Sequence, residues 1–274
     1  MRPIQEQVIL ITGATDGLGK AVATELAHRG ATLILHGRSD EKGQRTLAEI
    51  RQLTGNDRLS YYRADFARLS EVRELAERIL AEHPQLDVLV NNAGLGVELQ
   101  RHISHDGHEL TFQVDYLAPF LLTHLLQPLL VQSEPARIVN VTSAGQAPIN
   151  FNDVMLERHY DGVQAYCQAK LAEIMLTFDL AAELQGRGVT VNCLHPASYM
   201  PTKIVVGLFS TQSSIEDGMQ ATVRLITDPS LDQVTGRYFF MQRENRANAQ
   251  AYDEHARARL RALAERLTGL AKGL

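Results

Sequence analysis

The chain has 274 residues, 45% hydrophobic and 22% charged, with a formal net charge of -5. That length allows one large core or two small ones, and the acid-leaning balance argues against nucleic acid as a partner. Two cysteines, Cys167 and Cys193, are too few for a disulfide framework and point to a reducing compartment.

The N-terminus, MRPIQEQVILITGA, runs into a strand almost at once, with no apolar leader followed by a small-residue cleavage site. A cytoplasmic location is the expectation. Short apolar or β-branched runs then recur along the chain: QVILIT (7–12), ATLILH (31–36), LSYYRA (59–64), LDVLVN (86–91), RIVNVT (137–142), VTVNCL (189–194) and GRYFFM (236–241). Between them lie amphipathic helical patterns such as KAVATELAHRG, SEVRELAERILAEH and the segment 165–184. The longest apolar stretch, 117–131, is interrupted by His124, Gln127 and two prolines, and falls short of the ~20 residues of a membrane span. No membrane span is expected.

Continuous apolar strands separated by helices predict a mostly parallel seven-stranded sheet with helices on both faces, a doubly wound α/β fold. No Pro/Gly/Ser linker or internal repeat divides the chain, so residues 1–274 read as one domain. Its parts would be a core over 7–195, a loop over 196–230, and a last strand with a C-terminal helix over 231–274. Ligands of such folds lie beyond the carboxyl ends of the strands.

Two motifs carry chemistry. TGATDGLG follows the first strand and leads into a helix, with Gly13, Gly17 and Gly19 allowing tight turning and close approach of a phosphate to a helix N-terminus. Farther along, Tyr166 and Lys170 are four residues apart in AYCQAKLAEIML. On a helix they share a face, and an ammonium within ~4–6 Å lowers a phenol's pKa, making the tyrosine a plausible acid/base.

TGATDGLG, Asp65, NNAG at 91–94, Ser143, Tyr166, Lys170 and a proline loop at His195–Pro196 stand in an order that resembles the short-chain dehydrogenase/reductase family over almost the whole chain. The Ser143-to-Tyr166 gap, the YCQAKLAEIML run and the C-terminal tail look most like the retinol dehydrogenase and carbonyl reductase branch. The resemblance implies a Rossmann domain binding NADP(H) and transferring hydride between the nicotinamide and a carbonyl/alcohol pair. Ser143 would bind the carbonyl oxygen, Tyr166 would exchange the proton, and Lys170 would tune Tyr166 and hold the nicotinamide ribose. Gly13, Thr15, Asp16, Gly17, Leu18 and Gly19 would surround the pyrophosphate. Asp65 and Phe66 would meet the adenine, Asn91, Ala93 and Gly94 the adenosine side, and Pro196 and Ser198 the nicotinamide. Homodimers and homotetramers both fit the resemblance, and the oligomeric state stays open.

Two departures stand out. Asp115, in FQVDYLAPF, occupies the place of the family's asparagine and adds a negative charge near Lys170. In HPASYMPT, Thr202 falls later than the family's threonine, which puts its carboxamide contact in doubt. Asp65 also reads as a turn residue and Ser143 as a turn serine. The last strand residue of ATLILHG is Gly37, followed by Arg38, with no carboxylate to receive a ribose diol, so NADP(H) is expected over NAD(H); a surface arginine is the plain alternative.

The segment after Pro196 carries Tyr199, Met200, Ile204, Val205, Val206, Leu208 and Phe209, with Lys203 its one cation before residue 216. It reads either as a lid over an apolar substrate, with Tyr199, Ile204 and Leu208 touching it, or as ordinary packing. His102, His105 and His108 read as a solvated loop, Cys167 as a small hydrophobe, and the charged tail as the wet face of a packed helix. A non-catalytic nucleotide-binding regulator, or a dehydratase or epimerase using the same tyrosine, are the rival readings.

Overall fold

The computed structural model describes residues 1–202, 204–205 and 207–270. Lys203 and Val206 of the expected lid, and the end of the chain from 271 to 274, lie outside the described residues. The strands are β1 (Val8–Ile11), β2 (Thr32–Gly37), β3 (Leu59–Arg63), β4 (Val88–Asn91), β5 (Ala136–Val141), β6 (Val189–His195), β7 (Arg237–Phe240) and β8 (Arg243–Asn245). The helices are α1 (Gly17–His28), α2 (Asp40–Thr54), α3 (Leu69–Glu82), α4 (Leu110–Phe112), α5 (Ala118–Gln132), α6 (Gly162–Glu183), α7 (Ile215–Thr227) and α8 (Glu254–Thr268).

The strands make one sheet in the order β3-β2-β1-β4-β5-β6-β7-β8, parallel throughout except for the β7–β8 pair. The seven-strand expectation is therefore corrected to eight. Arg-Glu-Asn of β8 is exposed at all three positions and folds back on β7 after Met241, which has a φ of 53°. Apolar periodicity cannot announce a strand that buries nothing.

Alternation along each strand builds two cores. Leu10, Ile34 and Leu89 face α3, α5, α6 and α8, while Ile9, Ile11, Leu33, Leu35, Val88 and Val90 face α1, α2 and α7. In α8, Ala256, Leu260, Ala264 and Thr268 are buried at four-residue spacing, leaving its charges on the outer face. The helical run Leu110–Gln132 is long and apolar enough to cross a membrane, yet 78% of its most apolar window is buried inside this fold.

Strand order reverses between β1 and β4, which are neighbours although β2 follows β1 in sequence. Beyond the carboxyl ends of these strands lies the crevice where this class of fold holds its ligand.

Candidate active site

The turn after β1 is shaped by close approach. Gly13 has φ 65°, and a Cβ there would lie 2.8 Å from Ala93 Cα. A Cβ on Gly19 would strike the Gly13 carbonyl oxygen and Asn92. The turn is tied to the loop after β4 by Asn92 Nδ2, which donates to Thr12 O at 2.8 Å and Gly13 O at 3.2 Å. In return Thr12 Oγ1 accepts from the backbone N–H groups of Asn92 and Ala93, both at 2.9 Å. Asp16 caps α1 by accepting from Gly17 N at 2.9 Å. The result is a rigid glycine cradle at a helix N-terminus, the geometry that receives phosphate. Leu18 is buried beneath it.

At the end of β2, Thr15 packs against Gly37, where a Cβ would lie 2.8 Å from Thr15 Cγ2. Arg38 is exposed beside them and makes no ion pair among the described residues. Ser39 caps α2, so Asp40 does open that helix. His36 stacks on Phe66 at 4.4 Å, its Nε2 bonded to Ala64 O at 3.0 Å while Nδ1 accepts from Gly13 N at 3.3 Å. Burial lowers its pKa to about 4, keeping it neutral. Asp65 turns its Oδ1 to Ala67 N at 3.0 Å, and its own N–H donates to Glu71. It thus starts a turn.

Ser143, Tyr166, Lys170 and Asp115 converge from three elements. Ser143 follows β5 and is buried; its Oγ accepts from Gly145 N at 3.0 Å. A Cβ on Gly145 would lie 3.5 Å from Ser143 Oγ and 3.7 Å from the Tyr166 ring, so glycine leaves room between them. Tyr166 and Lys170 lie one turn apart on α6. Burial pushes the Tyr166 phenol above its ordinary pKa, while Lys170 and a hydrogen bond with Ser143 pull it down and Asp115 pushes it up.

Asp115 is fully buried on a π turn, Gln113–Leu117, inserted between α4 and α5. Its Oδ1 accepts from Leu95 N at 2.7 Å and its Oδ2 lies 3.2 Å from Lys170 Nζ. Lys170 Nζ also donates to Glu173 Oε2 at 3.1 Å and to Val141 O at 3.3 Å. Burial alone would depress the lysine, but Asp115, Glu173 and Tyr166 hold it charged, above the usual range. Gly94 lies over this pair, and a Cβ on it would meet Asp115 Oδ2 at 3.1 Å and Lys170 Nζ at 3.3 Å.

Asn91 does not turn its side chain toward the cradle. Its Nδ2 donates to Thr123 Oγ1 at 3.0 Å and Asn140 Oδ1 at 2.8 Å, and Asn140 donates to Thr177 Oγ1 at 2.8 Å. The side chain that reaches the glycine turn is that of Asn92.

The loop after β6 starts at buried Pro196. Ser198 Oγ is hydrogen-bonded to His195 Nε2 at 3.0 Å, and burial lowers His195 to about 4. Thr202 rests against the glycine turn: a Cβ on Gly17 would meet its Cγ2 at 3.2 Å. Ile204 meets Gly96 of the loop after β4, where a Cβ would be 2.8 Å from Ile204 Cγ2. Tyr199 and Phe209 pair at 5.2 Å, and Leu208 is exposed beside them in sequence. Met200, in contrast, packs inward against Gly218 of α7.

His102 and His105 are exposed in a loop whose Asp106 accepts from Leu69 N at 2.8 Å and Gln113 at 2.7 Å, so that segment caps α3. Sequence reasoning missed Thr12, His36, Asn92 and Glu173. All four stand inside quoted segments, Thr12 and Asn92 within the glycine and NNAG motifs themselves, but at His36 and Glu173 the local pattern signals only a strand and a helix residue.

A family model for short chain dehydrogenases matches residues 7–213. Retinol dehydrogenase 13 of Mus musculus is 36% identical, over 98% of this chain and 85% of that protein. Retinol dehydrogenase 14 of Homo sapiens is 36% identical, over 97% and 87%. Among solved structures, an uncharacterized protein from Mycobacterium paratuberculosis superposes with a TM-score of 0.81 at 28% identity, covering 98% of this chain and 96% of that one. A short chain dehydrogenase from Shigella flexneri, complexed with NADP, gives 0.70 at 28%, covering 86% and 97%.

Proposed function

The chain belongs to the short-chain dehydrogenase/reductase family, in its retinol dehydrogenase-like branch, and from that premise we propose that it is an NADP(H)-preferring oxidoreductase (EC 1.1.1.-) reducing apolar ketones or aldehydes. The observation that carries the reading is the convergence of Ser143, Tyr166 and Lys170 beyond the carboxyl ends of β4 and β5. NADP complexes among its structural relatives support the cofactor.

The residues present fit that cofactor. Glycines 13 and 19 leave the space a phosphate backbone needs, and Arg38, which no carboxylate pairs among the described residues, follows β2 where an adenosine 2′-phosphate would require a cation. When bound, the nicotinamide supplies or accepts the hydride. Reduction builds negative charge on the carbonyl oxygen, and the Ser143 hydroxyl donates to it. Tyr166 delivers the proton. Lys170 stabilises the resulting phenolate and is the residue that would hold the ribose hydroxyls.

The substrate end is apolar. Tyr199, Ile204, Leu208 and Phe209 are each about 40% exposed and stand together in one connecting segment, the kind of grouped apolar surface that marks a contact site. We assign them to a lid over the carbonyl substrate. Efficiency should then rise with apolar size, with ~0.8 kcal/mol available per buried CH₂. A chain-length series of ketones and aldehydes, followed by loss of NADPH absorbance, tests this. Rising kcat/KM with chain length is expected; a flat or falling series would remove the lid.

A further inference from the structure

Lys170 Nζ donates to Glu173 Oε2 at 3.1 Å on α6 and to the Val141 carbonyl of β5 at 3.3 Å, and it forms an ion pair with Asp115 Oδ2 of the π turn at 3.2 Å. Two carboxylates and one ammonium are sealed in the same place; Asp115 is 0%, Glu173 1% and Lys170 5% exposed. Burying a charge is tolerated only with close partners, and here two acids compete for one cation.

We propose that Glu173 is a positioning residue, which from the next turn of α6 shares the Lys170 ammonium with Asp115 and so sets how much positive charge acts on Tyr166. The proposal rests on Tyr166 and Lys170 forming the acid/base pair. With both acids ionised, the cluster around Tyr166 carries a net negative charge; with one protonated it is neutral. The groups facing Glu173 are Asp115 from the π turn, Lys170 from α6 and Cys193 from β6; Tyr166 is reached through Lys170 and Asp115, which act on both, and Glu98 acts on Asp115 from the loop after β4. From β5 comes the uncharged Val141 carbonyl. Burial pushes Glu173 up to about 8, against the pull of Lys170. Below that pH it is largely protonated and Lys170 answers to Asp115 alone. Above it the second negative charge opposes ionisation of Tyr166.

The test is a pH titration of protein labelled with 13C at the tyrosine ζ carbon, the Tyr166 signal being assigned by its loss in Tyr166→Phe. In the unaltered protein the signal should step at about pH 8, as Glu173 ionises, ahead of the phenol's own transition. Glu173→Gln removes the charge at nearly constant shape. The step should vanish and the Tyr166 midpoint fall by ~1 pH unit. Glu173→Met should do the same, and Glu173→Asp should restore unaltered behaviour. A structural role alone would lower the melting temperature and leave the titration in place. A curve without the first step in the unaltered protein, or an unmoved Tyr166 midpoint in the charge-free variants, overturns the proposal. The titration needs no substrate, so absence of NADPH turnover with every carbonyl would defeat the functional reading and leave this result standing.

Discussion

Lys170 Nζ lies 3.2 Å from Asp115 Oδ2, and both residues are buried. The aspartate spends its other oxygen on Leu95 N at 2.7 Å, so it ties the loop after β4 to the lysine while opposing the lysine's effect on Tyr166. Asp115→Asn keeps an acceptor for Leu95 and loses the charge. It should move the rising limb of alcohol oxidation against pH downward by ~1 unit, because the phenolate becomes easier to form. Asp115→Ala should leave Leu95 N unsatisfied and cost about 1–3 kcal/mol in urea unfolding. An unmoved limb in Asp115→Asn would show that the two groups are not coupled.

Arg38→Asp puts a carboxylate where the adenosine phosphate would lie. The ratio of kcat/KM for NADPH to that for NADH should fall by at least ~10-fold, one lost charge-assisted contact being worth ~1.5–3 kcal/mol. An unchanged ratio would make Arg38 an ordinary surface residue.

Gly19→Ala should damage cofactor binding more than it damages the fold. Its Cβ meets the Gly13 carbonyl and Asn92, so the cradle must shift at the point where a phosphate is received. NADPH affinity, read by fluorescence titration, should drop by at least ~10-fold, equal to ~1.4 kcal/mol. Affinity within two-fold of the unaltered protein, at about the same melting temperature, would place the phosphate elsewhere.

Acid should unfold the protein partly through two histidines. His36 and His195 are held at about 4 by burial, against an unfolded value of 6.5. Their folded pKa values are depressed, so the unfolded chain binds more protons. The neutral forms therefore contribute stability above pH 6.5 that is lost as pH falls toward 4, on the order of 3 kcal/mol for each. His36→Gln keeps hydrogen-bonding groups near Gly13 and Ala64 and cannot titrate. Urea unfolding at ~pH 7 and ~pH 4.5 should show a smaller stability loss for this variant than for the unaltered chain. Equal losses would mean that His36 charges in the folded state at ordinary pH.

Much of this was legible in the sequence because it repeats or lies in a local pattern. The seven longer strands announce themselves as apolar runs, and the glycine turn and the Tyr166–Lys170 pair are spacings along one segment. β8 was hidden because all three of its residues are exposed. Glu173 was hidden for the opposite reason. A glutamate in a helix reads as a wet residue, and only the packing of α6 against β5 and the π turn seals it beside Lys170. His36 likewise looks like a strand residue until Phe66 and Gly13 close over it. Asn91 and Asn92 show the limit at single-residue resolution: the motif marks the loop, but which side chain enters the core depends on strand pleat.

The most direct test of the account is Tyr166→Phe, assayed side by side for NADPH binding and for carbonyl-dependent NADPH oxidation. The ring keeps its packing while the proton it delivers is gone, so kcat should fall to less than a few per cent with cofactor affinity nearly unchanged. Turnover retained above that level, with binding intact, would contradict the assignment of Tyr166 as the proton donor and with it the mechanism.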